Sequence, residues 1–103
     1  MILLIAKYIE TSQYERLDEK TGTKRIDKSY RVHVAYPDGT VLPETVYFPR
    51  DPMGKYREPQ LEHGESYTFP VTVRPTKDGK KVSFTALLDK PPFPAPKNAP
   101  RAA

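Results

Sequence analysis

Prolines and glycines interrupt this chain so often that a long helix has little room to form. The 103 residues include twelve prolines and five glycines. Proline lacks a backbone donor and fixes φ, which excludes it from helix interiors and from the middle of a sheet. Hydrophobic residues make up 37% of the chain, enough at this length for one modest core. The sequence therefore predicts a single domain of strands joined by turns rather than a helical bundle.

Five segments predict strands, because apolar and polar side chains alternate or an apolar run is bounded by turn residues. They are residues 2–14, 30–36, 41–48, 67–73 and 82–88. The Asp-Gly pairs at 38–39 and 78–79 are typical of tight turns between strands. Helical periodicity is absent, apart from one helical turn expected within residues 59–62.

The predicted elements occur as three strands, a long loop over residues 51–64, and a two-stranded hairpin. Five short antiparallel strands with a long third connection favour an all-β, five-stranded antiparallel OB-like barrel over residues 1–90. An SH3-like barrel or an open five-stranded sheet would give the same linear order. Residues 91–103 are predicted to be a disordered, basic, proline-rich tail.

Composition excludes several functions. The chain has no cysteine and therefore neither a disulfide nor a thiolate metal site. The apolar run 2–6 is shorter than a signal peptide or a membrane span requires, so we expect a cytoplasmic protein with no membrane partner. Neither a catalytic triad motif nor a glycine-rich phosphate loop is present. We expect no enzyme activity, cofactor, metal or small-molecule substrate.

The positive charge is concentrated in two places. The net charge is +4, and residues 20–31 contain five cations but only one acid, Asp27. Residues 50–57 contain three cations and one acid, Asp51. Clustering of this kind makes a basic face possible on an otherwise nearly neutral body. Seven tyrosines and four phenylalanines accompany these charges, and several lie beside a cation, such as Tyr14 near Arg16.

Cations that neutralise phosphates and aromatic rings that stack on bases are the two elements of a single-stranded nucleic-acid surface. The predicted phosphate-binding residues are Arg16, Lys24, Arg25, Lys28, Arg31, Arg50, Lys55 and Arg57. The predicted base-stacking residues are Tyr30, Tyr47 and Tyr56.

The three tyrosines differ in how the strand pattern places them. Tyr47 has the opposite parity to Val46 and Phe48 and should face outward. Tyr56 lies on the long loop with no core role indicated. Tyr30 shares the core parity of the strand that it begins, so a base contact there requires a bulge that turns the side chain outward.

The spacing Gly22-x-x-Arg25-x-x-Lys28-x-Tyr30 resembles the binding wing of the single-stranded-DNA-binding proteins of filamentous bacteriophages. Two further segments are similar to that family: Leu61-x-x-Gly64-x-x-Tyr67, and residues 87–91. The resemblance implies an OB-like barrel, a two-fold homodimer and cooperative coating of single-stranded DNA during phage or mobile-element replication. It also implies phosphate contact by Arg25 and base contact by Tyr30.

Two other functions fit the same residues. A small β-barrel adaptor could bind protein through its exposed tyrosines and use the proline-rich tail as a docking peptide. An RNA-binding barrel would present the same cations and aromatics, because recognition of the 2′-hydroxyl leaves no sequence signature here. The residues do not distinguish DNA from RNA, and they leave the oligomeric state open.

Overall fold

The computed structural model describes residues 1–51 and 53–96. This part of the chain is all-β and contains six strands: β1 Ile2–Asp18, β2 Thr23–Ala35, β3 Val41–Tyr47, β4 Ser66–Pro75, β5 Val82–Ala86 and β6 Phe93–Pro94. No helix among these residues could cross a membrane.

Strands β1 to β5 close into a barrel in the order β1-β2-β3-β5-β4, with β4 pairing back onto β1. This arrangement confirms the predicted five-stranded OB-like barrel. Among the described strands of the barrel, four of the five pairings are antiparallel, as predicted, and the pairing of β3 with β5 is parallel. An odd number of strands cannot alternate in direction all the way around a closed ring, so at least one parallel pair is unavoidable.

The core lies inside the barrel and follows the predicted alternation. Its largest fully buried side chains are Tyr30, Phe69, Val32, Val46 and Val71. They come from β2, β3 and β4, and Phe84 and Ala86 of β5 join the same cluster. Because side chains in a strand alternate between faces, the intervening residues point away from the core.

Strands β1 and β2 are longer than the sequence indicated. The pairing of β1 with β4 ends at Lys7 and Ser66, and the pairing of β2 with β3 ends at Ser29 and Tyr47. Beyond these points β1 and β2 pair only with each other, and we call residues 14–27 the ribbon.

A tight turn joins the two strands of the ribbon, where the Gly22 amide donates to the carbonyl of Asp18 at 2.7 Å. The φ of Gly22 is 68°, a conformation that glycine adopts without steric cost.

The long loop after β3 is fixed by hydrogen bonds within itself and by one to β4. The Asp51 carboxylate accepts hydrogen bonds from the amides of Lys55 and Tyr56, each at 2.7 Å. The prediction of a helical turn within residues 59–62 is wrong. The Glu62 amide donates to the hydroxyl of Tyr67 at 2.9 Å, and residues 59–62 have no helical structure.

The first residues of the predicted tail pack on the barrel. Phe93 and Pro94 form β6, which pairs with Tyr67 and Thr68 of β4, and Pro92 is buried. The barrel's contacts therefore extend past position 90, where the sequence indicated the tail would begin. The rest of that predicted tail, residues 97–103, lies outside the described residues.

Candidate nucleic-acid interface

The pairing of β1 with β2 collects aromatic and basic side chains on one face of the ribbon. Tyr14 lies opposite Asp27, and Arg16 lies opposite Arg25. Directly opposed residues share a face of the sheet, as do residues two apart along one strand. Tyr47 of β3 lies opposite Ser29, which is two residues from Asp27, and so continues the same face. We call this set, Tyr14, Arg16, Arg25, Asp27 and Tyr47, the ribbon face.

A β-bulge in β1 decides which side chains reach the ribbon face. The register between β1 and β2 shifts between Tyr8 and Glu10, which leaves Ile9 as the extra residue. Before the bulge the even-numbered residues, such as Ala6, face the core, and after it they face outward. Tyr14 and Arg16 therefore lie on the outer surface, where strict alternation from Ala6 would have turned them to the core side.

Arg16 and Tyr14 contact each other directly. The guanidinium carbon of Arg16 lies 5.1 Å from the centroid of the Tyr14 ring, within the range of a cation–π contact. The same guanidinium donates through Nη2 to the Tyr14 hydroxyl at 3.1 Å. That hydrogen bond is the main reason why the pKa of Arg16 is raised above its ordinary value.

Two arginines share one carboxylate at the centre of the ribbon face. Arg16 Nε lies 3.0 Å from Asp27 Oδ2, and Arg25 Nε lies 3.0 Å from Asp27 Oδ1. The side chains of both arginines are 58% exposed, and that of Asp27 is 26% exposed. The cations are thus accessible to solvent, and the acid lies deeper between them.

A cleft of about 890 Å³ runs between the ribbon and the segment that follows β3. It opens where β2 extends beyond the end of β3, so one edge of β2 lacks a neighbouring strand among the described residues. Five of the predicted site residues line it: Arg16, Arg25, Lys28, Tyr47 and Arg50. The apolar part of the wall is formed by Ile26, Phe48 and Pro49. The cleft therefore combines basic, aromatic and apolar surface, which is the combination that a flexible nucleic-acid strand requires.

The prediction that the side chain of Tyr47 faces outward is confirmed. Tyr47 is 42% exposed, whereas the preceding Val46 is fully buried. Tyr14, which was not among the predicted site residues, is 37% exposed and lines the same cleft. Its position two residues before Arg16 in the sequence was the available signal, but only the bulge and the extension of β1 show that both side chains face outward together.

The prediction that Tyr30 stacks on bases is wrong, because Tyr30 is 0% exposed. Its ring centroid lies 4.5 Å from that of Phe48 and 5.5 Å from that of Phe69. Burial raises the pKa of the Tyr30 hydroxyl far above its ordinary value, assisted by a hydrogen bond to Tyr56. The bulge that could have turned this side chain outward lies in β1 rather than in β2, so the strand parity of Tyr30 holds.

Tyr56 has the core role that the sequence did not indicate. Its hydroxyl lies 2.8 Å from that of Tyr30, and its ring centroid lies 5.2 Å from that of Phe48. Burial raises the pKa of Tyr56 as well. The ring therefore anchors the long loop to the core, and its interpretation as a free stacking surface is wrong.

The remaining predicted cations are dispersed. Lys28 forms an ion pair with Glu58 of the long loop at 3.1 Å, and Arg31 pairs with Glu10 at 3.4 Å. Lys24 lies opposite Leu17 and so projects from the other side of the ribbon. Lys55 and Arg57 are exposed but do not line the cleft. From the first basic cluster the structure brings only Arg25 and Lys28 to the cleft, where they join Arg16, Tyr47 and Arg50. It leaves most of the second cluster apart.

Comparison with known proteins adds little to this geometry. No family model matches the chain, and no curated protein matches it. Among solved structures, the chain is similar to the OB domain of Ta0387 from Thermoplasma acidophilum, determined by solution NMR. The TM-score is 0.49 and the identity is 14%, over 95% of this chain and 77% of that chain. The OB-like assignment therefore depends on the strand order and the closure of the barrel described above.

Proposed function

We propose that this protein binds single-stranded DNA with little sequence preference and has no catalytic activity. The observation that carries the proposal is the ribbon face and its cleft, where two exposed tyrosines lie among three arginines and a lysine. Fold-level analogy agrees, because OB barrels bind oligonucleotides and oligosaccharides across the β2–β3 face and the loop between β1 and β2.

Each group has a defined part in the proposed complex. Arg16, Arg25 and Arg50 contact phosphates, and each phosphate that is neutralised releases counterions. Tyr14 and Tyr47 stack against bases, which tolerates any sequence because every base has a π-face. The exposed edge of β2 leaves room for a flexible strand, whereas a rigid duplex keeps its bases stacked on one another.

The biological setting of the proposal rests on the resemblance to the filamentous-phage proteins. It comprises a homodimer in the host cytoplasm that coats single strands during phage or mobile-element replication. The wing of that family corresponds here to the ribbon, with Arg25 retained as a phosphate contact. Tyr14 and Tyr47 take over the stacking role that the resemblance assigned to Tyr30.

The test is a fluorescence anisotropy titration of labelled oligo-dT at about 50 and 200 mM salt, with duplex DNA and oligo-U as competitors. Single-strand binding predicts tight association at the lower salt, a steep loss at the higher salt, and little competition by duplex. Strong competition by oligo-U would instead assign the site to RNA. No binding at 50 mM salt would reject the nucleic-acid function altogether.

A further inference from the structure

The two arginines of the ribbon face are arranged in a way that needs an anion between them. Arg16 and Arg25 lie directly opposite each other across the two strands, a position in which like charges repel. Asp27 follows two residues after Arg25 on the same face. Its two carboxylate oxygens are divided between the two Nε atoms, each at 3.0 Å. A second nitrogen of Arg25, Nη2, lies 3.4 Å from Oδ2.

Carboxylate and phosphate oxygens accept hydrogen bonds from a guanidinium group in the same way. The position of the Asp27 carboxylate is therefore also a position for the oxygens of a phosphate. We propose that Arg16 and Arg25 form one phosphate site, that Asp27 occupies it in the free protein, and that a phosphate diester binds by displacing the Asp27 carboxylate. The assignment of that phosphate to a nucleic-acid strand rests on the proposed function.

The surroundings permit this exchange. Both arginines are more than half exposed, and exposed ion pairs stabilise a protein only weakly, so the carboxylate can leave at low cost. Arg16 also keeps its hydrogen bond to the Tyr14 hydroxyl at 3.1 Å, which does not involve Asp27. That guanidinium therefore remains oriented beside an exposed ring when the carboxylate moves away. Asp27 then acts as an internal competitor that limits affinity for the strand.

The variant Asp27→Asn tests the proposal, because it keeps the size of the side chain and removes the competing charge. We expect oligo-dT to bind about two- to fivefold more tightly at 50 mM salt, the range set by an exposed ion pair. The dependence of log K on log salt should stay nearly the same, because the same phosphate is bound in both proteins. Asp89→Asn is the matched control, since it makes the same charge change at an exposed residue outside the cleft.

A double variant tests whether the gain depends on both arginines, and the comparison with Asp89→Asn separates a local exchange from a general effect of charge. Arg25→Gln combined with Asp27→Asn should lose the gain in affinity, because one of the two arginines of the site is gone. Binding by Asp27→Asn that is no tighter than binding by Asp89→Asn would overturn the proposal. Weaker binding would overturn it as well, since Asp27 would then serve to position the arginines.

A second measurement on the full chain does not require a DNA ligand. Titration of the ¹⁵N-labelled protein with inorganic phosphate, followed through the arginine Nε–Hε signals, reports on the site directly. We expect the Arg16 and Arg25 signals to shift together, and at lower phosphate concentration in Asp27→Asn than in the unmodified protein. Such shifts without oligo-dT binding would retain the anion site and reject the proposed function. Oligo-dT binding with unaltered arginine signals would reject the anion site alone.

Discussion

The hydroxyl groups of Tyr30 and Tyr56 lie 2.8 Å apart and join the centre of the barrel to the loop that follows β3. Tyr30 is fully buried, so its hydroxyl has no access to water if Tyr56 loses its own. Tyr56→Phe should therefore lower the free energy of unfolding by about 1–3 kcal/mol, the cost of an unsatisfied buried polar group. Urea unfolding followed by circular dichroism measures the change.

The double variant Tyr30→Phe/Tyr56→Phe provides the control for this pair. Removing both hydroxyls leaves neither group unsatisfied, so the combined loss should be smaller than the sum of the two single losses. Additive losses would show that the two hydroxyls do not interact. Tyr30→Phe should also leave the affinity for oligo-dT unchanged, because the ring does not reach the surface. A weaker affinity of Tyr30→Phe for oligo-dT would indicate that Tyr30 takes part in binding.

Stability should fall at alkaline pH because of the same buried tyrosine. The pKa of Tyr30 is raised in the folded state above its ordinary value of 10.0, so above pH 10 the unfolded chain releases this proton and the folded protein retains it. The unfolded state then binds fewer protons, and the free energy of unfolding decreases by about 1.4 kcal/mol per pH unit. Chemical unfolding at several values between pH 9 and pH 12 measures this slope. The slope should be shallower in Tyr30→Phe, and an identical slope would contradict the assignment to Tyr30.

Tyr47→Ala should weaken oligo-dT binding by about 1–3 kcal/mol at both salt concentrations, the range for loss of one base–aromatic stack. Tyr47→Phe keeps the ring and should bind as the unmodified protein does. Phe93→Ala is the control for removal of an exposed aromatic, since Phe93 is 46% exposed on β6 and does not line the cleft. Equal losses from Tyr47→Ala and Phe93→Ala would place the strand elsewhere on the barrel.

Arg25→Ala should lower the salt dependence of binding as well as the affinity. Loss of one phosphate contact reduces the slope of log K against log salt by about 0.7 for a single strand. Arg74→Ala removes the same charge from the exposed end of β4, away from the cleft, and should leave the slope nearly unchanged. Anisotropy titrations at four or more salt concentrations give both slopes. Equal slopes for the two variants would mean that Arg25 attracts the strand only through net charge.

The barrel itself was largely predictable, because its determinants are local. Val32 and Val34 alternate with Arg31 and His33, and the same period correctly separates buried Val46 from exposed Tyr47. The same alternation placed Tyr30 in the core, whereas the family resemblance implied that Tyr30 contacts bases. The resemblance matched a spacing of residue types, and a spacing does not state which way a side chain points.

Residues 14–27 show where local pattern was insufficient. Both strands of the ribbon are mostly polar and exposed, so no hydrophobic period marks them, and their extent depends on the cross-strand pairing of β1 with β2. The composition showed that the chain is rich in aromatic residues. It did not show that the ring of Tyr14 would lie at the surface and that the ring of Tyr30 would be buried.

The sequence by itself determined an all-β domain with alternating core positions, Asp-Gly turns and a basic segment ahead of the second strand. Only the tertiary structure decided the barrel closure, the bulge at Ile9 that turns Tyr14 and Arg16 outward, and the packing of Tyr56 against the core. The physical reason is the range of the interactions. Alternation and turn geometry depend on neighbouring residues, whereas register, bulges and loop anchoring depend on hydrogen bonds and contacts between residues far apart in the chain.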